Sequence, residues 1–72
     1  IRMKYEKGQL VFWTTHTSGR MPVGIILEVN EIKKSYTIMW TSKEHSGILT
    51  VGDTMLESSY HFYVLTNDKE QE

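Results

Sequence analysis

A chain of 72 residues makes one domain at most, and a core this small supplies only about 3–5 kcal/mol of net stability. It has no cysteine, which excludes disulfides and thiolate metal sites and leaves self-association as the simplest way to gain buried area. Eight Lys and Arg stand against nine Asp and Glu, and no basic cluster exceeds the pair Lys33–Lys34, so the broad positive face of a phosphate-gripping protein is not advertised.

The opening, IRMKYEKG, is basic but lacks the apolar stretch of a signal peptide. No apolar run approaches the roughly 20 residues of a transmembrane helix. A cytoplasmic location away from membranes is therefore expected. The chain begins at Ile1 rather than Met, and Ile1 and Arg2 carry no weight in the fold reading. Residues 1–7 read as a lead-in, residues 8–65 as a single domain, and residues 66–72 as a polar, frayed tail.

Within the domain, QLVFW (9–13) follows Gly8 and is strand-like, being short, aliphatic and aromatic. TTHTSGRMP (14–22) is a turn-rich loop punctuated by Gly19 and Pro22. Pro22 lacks an amide proton and belongs at a strand's start or edge. VGIILEV (23–29) is the clearest strand: Val23, Ile25, Leu27 and Val29 make one fully apolar face, and Gly24, Ile26 and Glu28 the other. Gly24 marks a bulge or a close approach of another segment. NEIKKS (30–35) is a polar connection, broken only by Ile32, that leads into YTIMW (36–40). Together these segments predict an antiparallel hairpin.

TSKEHSG (41–47) reads as a loop and ILTV (48–51) as a short strand. In GDTMLESS, Thr54 and Glu57 stand in the spacing of a capping box, which predicts one helical turn with Met55 and Leu56 plugging the end of the fold. YHFYVL (60–65) is a last strand with aromatics on both faces. Five strands and one helical turn give an all-β protein. Five short strands laid flat would leave a face and two edges exposed, and closing them into a small barrel relieves this.

The segments KGQLVFW, GIILEV, YTIMW, ILTV and a closing YVL resemble an SH3-like barrel in the broad sense that includes Tudor and KOW-type domains. Gly8-Gln9-Leu10-Val11 is similar to the G-D-x-V start of such barrels, with Gln9 in place of the usual Asp. The chain also resembles small barrel proteins encoded by tailed phages and recovered in marine metagenomes, which implies a viral or bacterial origin. The resemblance runs over residues 7–65. It implies a five-stranded SH3-like barrel with one short helical turn before the last strand, and no particular activity.

Reactive groupings are sparse. His16, His45 and His61 have no ligand-like spacing to one another or to carboxylates, so hydrogen-bonded or solvated histidines are expected, and no metal or cofactor. ESSYH brings Glu57, Ser58, Ser59 and His61 together in sequence, but without the strained elbow or oxyanion loop of a nucleophilic site. No phosphate-binding glycine loop is present, and a barrel this size has little room for an internal pocket of roughly 300 Å³. The expectation is a noncatalytic module.

Its unusual supply is aromatic. Tyr5, Phe12, Trp13, Tyr36, Trp40, Tyr60, Phe62 and Tyr63 exceed what an interior already holding Val11, Ile26, Leu27, Val29, Ile38 and one tryptophan can accept. The surplus either covers the barrel ends, forms a face for a protein partner or a second copy, or makes a cation cage of the kind Tudor-like barrels carry. Trp13, His16, Tyr36, Trp40 and Tyr60 are the candidate partner-binding residues. The alternative function is a nucleic-acid-associated barrel of KOW or Tudor type. There Arg20, Lys33, Lys34 and Lys43 would meet phosphates and rings would stack on bases.

Overall fold

A computed structural model describes residues 3–17 and 19–66. Ile1 and Arg2, and all of the expected polar tail except Thr66, lie outside the described residues. The elements are β1 (Leu10–Trp13), β2 (Val23–Asn30), β3 (Ser35–Ser42), β4 (His45–Gly52), α1 (Asp53–Glu57) and β5 (Phe62–Leu65). The strands form one antiparallel sheet in the order β4-β3-β2-β1-β5. The expected all-β class, the five strands and the short helix before the last strand are all present. The fourth strand is longer than expected. It runs through Ser46 and Gly47, and only Lys43 and Glu44 are left to turn between β3 and β4. Gly47 has φ +119°, which a residue with a side chain rarely adopts, so glycine lets the strand pass a point that reads as a loop.

The sheet is strongly curled. Neighbouring strands lie about 4.8 Å apart, so β3 and β5, three places apart, would be separated by about 14 Å if the sheet were flat. Instead the rings of Trp40 on β3 and Phe62 on β5 approach to 6.1 Å between centroids. The curl brings the inner sides of the strands onto one core of Tyr5, Val11, Ile26, Tyr36, Ile38, Trp40, Leu56, Phe62 and Val64. No ladder joins β4 to β5, which remain the two edges of the sheet.

The central strand corrects the alternation read from sequence. Gly24 and Ile26 face the core, opposite Trp40 and Ile38. The register then shifts between Ile26 and Glu28, with Leu27 as the extra residue. A one-residue bulge inverts which alternate positions face inward. Beyond it Val29, not Glu28, packs inward opposite Tyr36. The fully apolar face expected from Val23, Ile25, Leu27 and Val29 is therefore divided. Ile25 lies on the outer side with Leu10 and Met39, and Leu27 and Val29 are only half-buried.

Gly24 is the close approach and not the bulge. A Cβ placed there would come within 2.7 Å of Ile38 Cγ2 and 2.8 Å of Trp40 Cε3. The absent side chain is what allows the Trp40 ring to lie across β2.

The lead-in is also part of the fold. Tyr5 is buried, its backbone N–H donates to Tyr36 Oη at 3.1 Å, and the N–H of Gly8 donates to the carbonyl of Ile26. Tyr36 Oη in turn donates to Glu57 Oε2 at 2.5 Å. This replaces the expected capping box. Gly52 is the residue before the helix and makes no side-chain cap, while Asp53 Oδ1 accepts the N–H of Thr54. Glu57 is drawn away to the Tyr36 hydroxyl, which ties the lead-in, β3 and α1 together. Burial, then the hydrogen bond to Glu57, push the Tyr36 hydroxyl up to about 12. Of the two expected plugs, Leu56 is fully buried and Met55 is exposed.

Candidate interaction surface

The five aromatic candidates divide. Trp13, His16 and Trp40 meet at one end of the core, with ring centroids 4.6 Å apart for Trp13–His16 and 5.7 Å for Trp13–Trp40. Two residues the sequence reading did not place there complete the cluster: His45, 5.0 Å from Trp13 and 5.7 Å from His16, and Phe62, 5.7 Å from Trp13. The long β4 strand is what delivers His45. The rings pack edge-on or tilted against one another, and Trp40 is buried, which corrects its placement as a contact residue. Tyr36 sits deep in the core beside Tyr5 and is equally inaccessible. Tyr60 is exposed and packs against His61 in the loop before β5, outside this cluster.

The other groupings have local roles. His61 Nδ1 lies 2.9 Å from Thr15 Oγ1, and Ser58 Oγ donates to the carbonyl of Met55. With Glu57 held by Tyr36, the members of ESSYH do not converge on one point. Among the described residues no three His, Asp or Glu side chains are grouped as a metal would need, and no helix is long and apolar enough to cross a membrane. The basic candidates fall at opposite ends of the β2–β3 hairpin. Lys33 and Lys34 lie in the connection between the strands, whereas Arg20 and Lys43 lie at the far end, where Arg20 pairs with Glu44 at 3.6 Å. Eight-residue strands hold the two ends roughly 25 Å apart.

The larger feature is the outer face of the sheet. Register carries one apolar row across all five strands: Leu65 opposite Leu10, Leu10 opposite Ile25, Ile25 opposite Met39, and Met39 opposite Ile48. A second row sets Tyr63 opposite Phe12 and Phe12 opposite Val23. Phe12, Thr14, Met21, Tyr63 and Leu65 line an open groove of about 450 Å³. Ile48, Tyr63, Met21 and Leu65 are 62%, 55%, 53% and 44% exposed. Single exposed apolar residues are ordinary, but contiguous rows of them mark surfaces that another molecule covers. Alternation could have signalled this face, because Leu10 and Phe12 necessarily point away from Val11.

No protein-family model, curated protein or solved structure matches the chain.

Proposed function

We propose that this protein is a noncatalytic interaction module that docks on another protein through the outer face of its sheet. The observation that carries this reading is the apolar row from Leu65 to Ile48, continuous over every strand and flanked by the Phe12–Tyr63 groove. An antiparallel sheet with one solvated face alternates apolar and polar residues. In the paired region of β1 and β5 here both faces are apolar, with Val11 and Val64 inward and Leu10, Phe12, Tyr63 and Leu65 outward. The wide separation of Lys33 and Lys34 from Arg20 and Lys43 favours a protein partner over the nucleic-acid alternative.

A displayed peptide library selected on the wild-type protein tests the reading. Enriched peptides are expected to be apolar, to shift the backbone resonances of β1 and β5, and to lose binding to the Tyr63→Lys, Leu65→Glu double variant. Binders that map elsewhere or ignore the double variant would overturn it. Titration with single-stranded oligonucleotide at low salt tests the alternative, which requires tight, salt-sensitive binding that Lys33→Glu abolishes.

A further inference from the structure

The edge of the sheet leads further than its face. β4 runs from His45 to Gly52 with no Lys, Arg, Asp, Glu or Pro, and Ser46 to Thr50 are all exposed. Natural edge strands are usually blunted by charge, proline or a bulge, because their unpaired N–H and C=O groups invite another strand. This edge is not blunted.

The hairpin geometry says which groups are unpaired. Ser42 and His45 flank the Lys43–Glu44 turn and are register partners. The pair closing a two-residue turn exchanges both of its backbone hydrogen bonds, and such pairs recur at alternate positions. Gly47, Leu49 and Val51 therefore bond to Trp40, Ile38 and Tyr36. Ser46, Ile48 and Thr50 direct their N–H and C=O groups outward, and no backbone bond takes them to another element of the described structure.

We infer that β4 pairs antiparallel with β4 of a second copy, about a twofold axis at Ile48. In that register Ile48 faces Ile48 and Ser46 faces Thr50 of the other copy, so every outward backbone group of Ser46, Ile48 and Thr50 finds a partner. Shifting the register by two residues strands some of them. On the inner side Leu49, exposed in the single chain, lies beside Gly47 of the second copy, which has no side chain to oppose it. On the outer side the apolar row continues through Ile48 into the second copy's row. Charge agrees as well. Lys43 lies as many positions before Ile48 as Asp53 lies after it, so the turn of each copy is carried toward the helix start of the other. A peptide from an unrelated protein would have no reason to match this pattern, whereas a second copy matches it by symmetry.

The inference stands on the edge strand and not on the docking face, so either can fail without the other. Light scattering after size-exclusion chromatography is expected to give, at high concentration, twice the 8.4 kDa chain mass. Tyr63→Lys, on the outer face of β5 at the opposite edge of the sheet, is expected to leave that mass unchanged. The absence of native cysteine allows a register test with dibromobimane, a short thiol-to-thiol linker. Ile48→Cys is expected to link into a covalent dimer. Ser46→Cys is not, because Ser46 faces Thr50 and the two Ser46 positions lie about 14 Å apart. Both sites are exposed, and circular dichroism checks that the variants fold. Lys43→Glu alone and Asp53→Lys alone are each expected to weaken dimerisation about tenfold, and the two together to restore it. A wild-type protein that stays monomeric, a dimer abolished by Tyr63→Lys, equal linking through Ser46→Cys, or a charge-swapped double variant weaker than both singles would each overturn the inference.

Discussion

Replacing Tyr36 by Phe removes one oxygen and leaves the ring. That oxygen accepts the N–H of buried Tyr5 and donates to Glu57 Oε2. Among the described residues the Tyr5 N–H has no other acceptor, and a buried donor left unpaired costs about 1–3 kcal/mol. In a domain of this size 1 kcal/mol moves the melting midpoint by roughly 4–8 °C, so Tyr36→Phe is expected to melt about 8–16 °C lower for a loss of about 2 kcal/mol.

The same hydroxyl gives a pH signature. Its folded pKa is raised to about 12 from the ordinary 10.0, first by burial and then by Glu57. The unfolded chain releases this proton near pH 10 and the folded chain keeps it. The stabilisation is therefore complete below pH 10 and is lost as pH rises from 10 through 12, by at most about 2–3 kcal/mol. Urea unfolding at pH 7 and pH 11 measures both effects. The wild type should lose more stability than the Phe variant over that interval, since the variant lacks this hydroxyl. Equal stability at pH 7, or the same alkaline loss in both, would refute the argument that this hydroxyl pins the lead-in and helix to the core.

Gly24→Ala adds one methyl group where Ile38 and Trp40 already crowd. Overpacking costs about 1–3 kcal/mol, expected as a lower urea midpoint with quenched or shifted Trp40 fluorescence, and an unchanged midpoint would show that the ring moves freely. Leu56→Ala empties a fully buried position on α1. It should cost about 2–5 kcal/mol, enough to unfold much of the population at 37 °C by circular dichroism, whereas Met55→Ala, at an exposed position, should change little.

Elements were legible where they obeyed one rule at a time. The hairpin of β2 and β3 and the helical turn show in alternation, turn residues and the change of period. The inner face of β2 was not legible, because a bulge at Leu27 inverts the alternation, and the run Ile25-Ile26-Leu27 before Glu28 offers an aliphatic residue to either face. The capping box misled for a different reason. Thr54 and Glu57 have the right spacing, but a tyrosine from another strand takes the carboxylate, and no local pattern records a partner 21 residues away. The aromatic surplus was visible in composition, yet its placement was not. Tyr36 and Trp40 alternate on the inner side with Ile38, and pattern alone does not say which of two apolar faces is the inner one. Gly47 hid the length of β4, and with it the arrival of His45 beside Trp13.

The bulge can be tested by deletion. On either side of Leu27 the ladder is regular: Ile26 faces Ile38, and Glu28 faces Thr37. Removing Leu27 closes the gap and leaves each flanking residue on the face it already occupies, with Gly24 and Ile26 inward, Glu28 outward and Val29 inward. The loss is a half-buried side chain and part of the bend that helps the sheet curl, together about 1–3 kcal/mol. Removing Met39 from β3, whose ladder to β4 is regular throughout, instead slips that strand by one residue on one side of the deletion. It sends Ile38 or Trp40 out of the core, with no bulge to absorb the change, and the fold should not survive. If β2 had no bulge, as simple alternation reads it, the two deletions would be equally disruptive. Circular dichroism melts and dispersion in a proton–nitrogen correlation spectrum distinguish the cases: a folded, weakened protein without Leu27 and an unfolded one without Met39. Loss of structure in both would return β2 to a regular strand and reassign which of its faces is covered from outside.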